Sequence, residues 1–301
     1  MRNYNPGEPL LTVVVPIYRM AGRLANFRSW IGLIDENLVQ VLLIHDGPNN
    51  ETSQELKEIL IDSEKYRIEI IEVSVGSPGL ARNEGLCRAK GRWVIFWDSD
   101  DLPIVKNVIE TLAEADESVE IICGCFETIN VTNGSTSVIE YHQNDSLDLK
   151  LSKISMQPGI WRFIFRIDVL KGLEFEGMKL AEDQIFLLDS KLLKRKVLFT
   201  NRVFYKYFVG DILQITNDET LISELRYSWQ AIFMRTKTYE GDKSFHMMLL
   251  IKLCLTLFKR GSLTIQVFTI FSLIKMFVQY PVVMPKTLLT LSKYKKEMTY
   301  D

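Results

Sequence analysis

Three carboxylates, Asp98, Asp100 and Asp101, crowd one short turn, DSDD with Ser99 among them, directly after the apolar run Trp93–Trp97. Packing gives no reason to gather like charges, and their repulsion opposes it. A hard divalent cation resolves the conflict, because magnesium and manganese take carboxylate and phosphate oxygens as ligands. A metal held there would bridge a diphosphate and neutralise the charge that builds on it as it leaves. The plainer reading is an acidic turn that caps the next helix. Three further motifs weigh against that reading.

The first is Gly76–Asn83, GSPGLARN. Gly76 and Gly79 permit tight turns and close approach to a ligand, and Arg82 and Asn83 follow early in a helix. Taken alone, this is a Gly-Pro loop with a solvated arginine. The second pairs Pro16 and Tyr18, at the end of VVVPIY, with Asp46-Gly47. Tyr18 offers a flat face for a base, and Asp46 accepts hydrogen bonds from an imide N–H, although a tyrosine after a strand and an Asp-Gly turn are both commonplace. The third is Ala181–Phe186, AEDQIF, which sets Glu182 and Asp183 at the start of a helix, where the dipole favours anions. In isolation these acids are helix caps. As chemistry, a carboxylate kept ionised there takes a proton from an attacking hydroxyl.

The elements that must position these residues follow from apolar runs and periodicity. Leu11–Ile17 and Val39–Ile44 read as buried strands, Ile68–Val75 as a third and Trp93–Trp97 as a fourth. Arg19–Asn37, Glu51–Ile61 and Leu80–Lys90 between them read as helices. This rhythm implies βαβ units, an α/β fold and a mostly parallel sheet flanked by helices. Ligands bind such sheets beyond the carboxyl ends of the strands, which is where Asp46 and Asp98–Asp101 fall. Further strands are expected at Glu120–Asn130, Ile160–Phe165 and Val197–Phe208, and a helix at Gln184–Leu193. From about Asn217 helical periodicity takes over, with an apolar stripe along Leu263–Tyr280 and a polar ribbon of Lys252, Thr256 and Lys259.

As a set, VVVPIY, the Asp-Gly after the second strand, GSPGLARNEGL, GRWVIFWDSDD and AEDQIF resemble the inverting glycosyltransferase family 2, of the GT-A, Rossmann-like fold. The resemblance is close from Leu11 to Asp101, sparser to Phe208, and does not reach the C-terminal part. It implies a nucleotide-sugar donor whose base, usually uracil, is held by Tyr18 and Asp46, with Pro16, Gly79, Arg82, Asn83, Asp98 and Ser99 along the donor pocket. Asp100 would touch the ribose or the metal, Asp101 would bind the metal (Mn2+ or Mg2+), and Asp183 would be the catalytic base supported by Glu182. The expected product is a glycan or lipid-linked acceptor carrying a sugar of inverted configuration. The family often has DDGS where this chain has His45-Asp46-Gly47-Pro48, and it often carries a basic residue after a tyrosine near the last core strand. Here Tyr207 is followed by Phe208, so the cation for the diphosphate is expected from elsewhere, with Lys206 the candidate, or the metal serves alone.

Domain limits are expected at 1–215 for a catalytic domain, divided into a donor half at 10–101 and an acceptor half at 102–215, and at 216–301 for a helical C-terminal region. Hydrophobic residues at 47%, charged residues at 25% and a net charge of −2 give a globular chain without the basic field of a nucleic-acid binder. Cys87, Cys123, Cys125 and Cys254 form no CxxC pair, and Cys123 and Cys125 read as buried thiols on one strand face. The N-terminus lacks a secretory h-region, and a cytoplasmic location is expected. The C-terminal apolar stripes with lysines either pack on the catalytic domain or lie on the inner face of an anionic membrane as a peripheral contact. Two rivals share the acidic turn: a nucleotidyltransferase-like enzyme, which would release pyrophosphate, and a catalytically silent sugar-nucleotide-binding protein.

Overall fold

The computed structural model describes residues 8–35, 37–61, 67–210 and 219–297. The composition change at Asn217 and the boundary at 215/216 lie outside the described residues. The chain forms two compact units, one of Met1–His142, Ile160–Gly177 and Asp189–Asp211, the other of Gln143–Gly159, Met178–Leu188 and Ile212–Asp301.

The first unit is built on one sheet. β1 (Leu11–Ile17), an almost fully buried LTVVVPI, lies parallel to β2 (Val39–Asp46) on one side and β4 (Trp93–Phe96) on the other. β3 (Arg67–Val73) adds in parallel to β2 as the half-exposed edge. β-branched and leucine side chains buried on both faces are the pattern of a central parallel strand, and each such side chain removed from water contributes about 1.5–3 kcal/mol. β5 (Leu102–Pro103), β6 (Ile121–Asn130), β7 (Thr136–Ile139), β8 (Phe163–Arg166) and β9 (Val197–Val209) complete nine strands among the described residues. The order is β3-β2-β1-β4-β8-β6-β9-β5, with β7 paired to β6. β8 runs antiparallel to both β4 and β6, and β6 runs parallel to β9, so the sheet is mixed but mostly parallel, as expected.

Helices α1 (Ala25–Ile31), α2 (Asn50–Leu60), α3 (Pro78–Leu86) and α4 (Val105–Glu114) belong to this unit. α1 is much shorter than the expected Arg19–Asn37, because Arg19 and Gly22 take positive φ, 49° and 72°, and hold the segment before it in a turn. α2 starts at Asn49, whose side chain accepts the Thr52 amide, and α3 at Ser77, whose hydroxyl accepts the Leu80 amide, with Pro78 in its first turn. α3 packs on β1 and β2 through Gly85, where a Cβ would overlap the Val14 side chain.

The second unit is helical. It contains α5 (Leu147–Met156), most of α6 (Glu182–Asp189), α7 (Glu219–Ile222), α8 (Leu225–Thr238), α9 (Ser244–Arg260), α10 (Leu263–Gln279) and α11 (Val283–Glu297). α9 is its centre: apolar around most of its circumference, it touches α5, α8, α10 and α11. Its expected polar ribbon is an incompletely covered edge, with Lys252 and Thr256 half-buried and Lys259 exposed. Cys123, Cys125 and Cys254 are buried thiols outside any disulfide, whereas Cys87 is exposed; burial pushes the Cys123 thiol up to about 12.

Candidate active site

The carboxyl ends of β1, β2, β3 and β4 carry Tyr18, Asp46, the 74–77 loop and the DSDD turn, all within the first unit. Tyr18 is half exposed, and its ring edge packs over Gly47, where a Cβ would stand 3.6 Å away. The Arg19 guanidinium lies 5.1 Å from the ring centre. The positive φ at Arg19 is strained backbone directly beside the tyrosine. Pro16 sits two residues back in β1, half-buried.

Asp46 is buried and serves as a clamp. Its Oδ1 accepts the Val75 amide at 2.7 Å, and its Oδ2 accepts the Gly76 amide at 2.8 Å. The carboxylate thus fixes the loop that leads into α3, and its remaining lone pairs are what a ligand would meet. His45, the departure from the family pattern, is fully buried, with Nδ1 3.4 Å from the Ser53 hydroxyl. Burial lowers its pKa against the pull of Glu72 and Asp46, which favours the neutral ring. It borders a cavity of about 340 Å³ between α2 and β3 lined by Lys57, Ile70 and Glu72 among others, a packing position.

α3 supplies Gly79, Arg82 and Asn83. Gly79 and Arg82 are buried. Arg82 Nη2 donates to Asp98 Oδ1 at 2.9 Å, and its guanidinium lies 5.5 Å from the Phe175 ring centre. Asn83 Nδ2 donates to the Phe175 carbonyl at 2.8 Å, and its Oδ1 accepts the Phe175 amide at 2.7 Å. Both groups of the Asn83 amide are therefore engaged with backbone, so Asn83 shapes the site by holding Phe175.

The DSDD turn is held from three directions. The Asp98 amide donates to the Tyr205 hydroxyl at 2.9 Å, Asn26 Nδ2 donates to the Asp100 carbonyl at 2.7 Å, and the Phe208 amide donates to Asp101 Oδ1 at 2.8 Å. Arg23 Nη2 approaches Asp100 Oδ2 at 3.6 Å. Ser99 is buried between the acids. Asp101 is 1% exposed, and its Oδ2 is buried with no hydrogen-bond partner among the described residues. Burial first, then repulsion from Asp100 and Asp98, pushes the Asp101 carboxyl well above the usual carboxylate range; the Phe208 amide and, less, the Tyr205 hydroxyl oppose them. Burial and the same carboxylates push the Tyr205 hydroxyl well above its usual value, so it stays protonated.

This is a donor set that a divalent cation fits. Among the described residues no three acid, histidine or cysteine side chains converge to cage a metal by themselves. A magnesium-type ion instead takes one or two carboxylates and completes its shell with water and substrate phosphates. Asp101, with its unpartnered oxygen, and Asp100 suit that role.

Arg23, Asn26, Phe175, Tyr205 and the Phe208 amide were not among the residues read from sequence. They come from segments far along the chain, and no local pattern marks them. The expectation for Lys206 is corrected: its ammonium lies 3.3 Å from Glu127, its partner across β6 and β9, and Arg82 and Arg23 are cations placed at the acidic turn. Strand alternation accounts for this, since Lys206 and Tyr205 point to opposite faces.

In the second unit, Glu182 and Asp183 open α6, as expected, after Ala181 at a positive φ of 63°. Glu182 is buried and Asp183 half-buried, with Asp183 Oδ1 accepting the Gln184 amide at 2.8 Å. Lys252 of α9 faces this charge: burial pulls its ammonium below the usual value, and Asp183 acts in the opposite sense.

The profile described as Glycosyl transferase family 2 matches residues 12–170. The chain is similar to Glycosyltransferase GlyG of Streptococcus pneumoniae, 22% identical over 66% of this chain and 70% of that one. It is also similar to Glycosyltransferase GlyA of the same organism, 24% identical over 65% of this chain and 30% of that one. A third relative is a poly(ribitol-phosphate) beta-glucosyltransferase of Bacillus spizizenii, 24% identical over 66% of this chain and 32% of that one, so the chain spans about a third of the latter two. Among solved structures, S. aureus TarS 1–349 in complex with UDP-GlcNAc gives a TM-score of 0.65 at 18% identity, covering 85% of this chain and 77% of that one. The mannosyltransferase PcManGT of Pyrobaculum calidifontis, in complex with GDP-Man and Mn2+, gives 0.58 at 14% identity, covering 95% and 86%. A profile matching more than half the chain, and fold neighbours that share its sheet, lead to one assignment: this chain belongs to glycosyltransferase family 2 and has the GT-A fold.

Proposed function

We propose that this glycosyltransferase is inverting and metal-dependent, and that it moves a sugar from a UDP-sugar to an acceptor hydroxyl in the assembly of a cell-surface polysaccharide or glycolipid. The observation that carries the reading is Asp101, a buried carboxylate with an unpartnered oxygen, crowded by Asp98 and Asp100 at the strand ends that also bear Tyr18 and Asp46. The UDP-GlcNAc bound to TarS supports the uridine donor, and the poly(ribitol-phosphate) transferase supports a surface polymer as acceptor. The Mn2+ in PcManGT supports the metal.

In this reading the Tyr18 ring stacks on the base and Asp46 takes its imide proton as a hydrogen bond. Pro16, Gly79 and Ser99 line the donor pocket. Arg82 holds Asp98 in place, Asn83 fixes Phe175, and Arg23 keeps Asp100 oriented. A divalent ion held by Asp101 and Asp100 supplies positive charge for the diphosphate. Asp183 removes the proton of the acceptor hydroxyl, whose oxygen bonds to the anomeric carbon on the face opposite the departing UDP, and the configuration inverts. The α6 N-terminus and the Lys252 ammonium place positive charge beside Asp183, and Glu182 supports it. Nothing in this scheme needs a covalent enzyme intermediate. Family membership leaves the nucleotidyltransferase reading without support, and release of UDP rather than pyrophosphate distinguishes the two. The proposed location is cytoplasmic, at the inner face of the membrane, where a lipid-linked acceptor is presented.

The test is UDP release from a panel of UDP-sugars with Mn2+, with wild type and Asp183→Asn. The variant is expected to melt and to bind donor like wild type and to lose transfer by about a hundred- to ten-thousand-fold. Wild-type turnover in Asp183→Asn would overturn the base assignment.

A further inference from the structure

α10 is built inside out for a helix meeting water. At 3.6 residues per turn, Leu263, Val267, Ile270, Phe271, Ile274 and Val278 fall on one stripe about 100° wide. That stripe is the exposed face, with Leu263 77%, Phe271 67% and Val278 73% accessible. The opposite face, which is buried, carries Ile265, Thr269, Ser272 and Met276. The helix thus turns two hydroxyl residues inward and a continuous row of large apolar side chains outward. The patch continues past both ends: Phe258 on the last turn of α9, whose carbonyl accepts Gln266 Nε2 at 3.2 Å, is 48% exposed, and Val282 is 79% exposed. Monomeric surfaces rarely leave so large an apolar patch uncovered.

Charge indicates what covers it. From Ser244 to Lys296 the chain has eight Lys and Arg and no Asp or Glu, although the whole protein is slightly negative. Lys259 and Arg260 stand before α10, and Lys286 and Lys293 flank the exposed Leu289 on α11. A second copy docked on this face by two-fold symmetry would set two rims rich in Lys and Arg against each other, with Asp242 beside Lys286 the acid placed there. An anionic lipid surface complements both features, acyl chains for the stripe and headgroups for the rim. No single described helix is long and apolar enough to cross a membrane, and α10 and α11 meet at a bend of 116°.

We propose that α10, with the end of α9 and the start of α11, lies in the plane of an anionic membrane, its apolar stripe in the acyl boundary and its lysines among the headgroups. The surface stands on the helices themselves; that it serves a lipid-borne acceptor rests on the transferase reading above.

The experiment is co-sedimentation of the full-length protein with phosphatidylglycerol-containing vesicles and with pure phosphatidylcholine vesicles, alongside donor hydrolysis without lipid. Wild type is expected to bind the anionic vesicles, more weakly as salt rises. Phe271→Ser with Ile274→Ser is expected to reduce partition by about a hundredfold at an unchanged melting temperature. Lys259→Glu with Arg260→Glu is expected to reduce it roughly tenfold and to flatten the salt dependence. No binding to anionic vesicles at low salt, or unchanged binding of the serine variant, would overturn the proposal. So would a stable dimer in lipid-free solution that the serine variant dissolves. Failure to bind vesicles with donor hydrolysis intact counts against the membrane surface alone; vesicle binding without donor hydrolysis counts against the transferase reading alone.

Discussion

Asp101→Asn is predicted to raise stability while abolishing transfer. The amide is isosteric with the carboxylate, so Oδ1 keeps the Phe208 amide at 2.8 Å. What it removes is a charge that burial, Asp100 and Asp98 all oppose. Its NH2 group replaces Oδ2, which has no well-formed hydrogen bond, and meets the Tyr205 hydroxyl, whose proton turns away so that its oxygen accepts. A buried polar atom left unpaired costs about 1–3 kcal/mol, so recovery of roughly 1–2 kcal/mol is expected. For units of this size that corresponds to about 2–4 °C in Tm for each kcal/mol. The metal and donor must then show the converse. On the proposed metal role, Mn2+ with UDP at about 100 times Kd should add about 2.7 kcal/mol to the wild type and little to the variant, which lacks the proposed anchor. Thermal melting with and without Mn2+ and UDP, together with UDP release, reads both arms, and transfer should fall by at least about a hundredfold. A variant that melts below wild type, or that Mn2+ and UDP stabilise as much as wild type, would refute the reasoning.

Gly85→Ala places a Cβ against Val14, fully buried in the middle of β1, and should destabilise by about 1–3 kcal/mol in a denaturant titration despite the better helix propensity of alanine. Asn83→Ala strips both hydrogen bonds from the Phe175 backbone; a loss of about 1–3 kcal/mol is expected, with a rise in KM as the Phe175 segment loosens, read by melting and steady-state kinetics. The Lys196 amide first, then Arg195 and Arg166, holds the Glu120 carboxyl below its usual value. That contribution is complete above the unfolded-state value near 4.5 and is lost as pH falls through the lower folded value. Glu120→Gln should therefore be less stable than wild type at neutral pH, and the two melting curves should converge in acid.

The donor half of the fold was legible because its strands are continuous apolar runs ending in polar turns. Leu11–Ile17, Val39–Asp46 and Trp93–Phe96 could be read almost to the residue. α4, α5 and α8 were not, because their apolar positions serve local packing and no chemistry-bearing motif drew attention to them. α1 was overread, since its apolar spacing runs on through Leu24 while the backbone at Arg19 and Gly22 is left-handed. In the site, residue types were legible and partnerships were not. Arg82 and Asn83 were recognisable as a pair, yet one holds Asp98 and the other holds Phe175, bonds that span 16 and 92 residues of sequence. Tyr205 lies in a strand whose pattern gives no sign that its hydroxyl meets the acidic turn 107 residues earlier.

The proposed mechanism requires the acidic turn and Asp183 to serve one bound donor. The most direct measurement is a crystal structure with an uncleaved UDP-sugar analogue and Mn2+, with the manganese located by its anomalous signal. The proposed mechanism predicts a peak within coordination distance of an Asp101 oxygen, with the base against Tyr18 and the Asp183 carboxylate facing the anomeric carbon opposite the UDP. Manganese held away from Asp101, or a donor whose anomeric carbon Asp183 does not face, would contradict it.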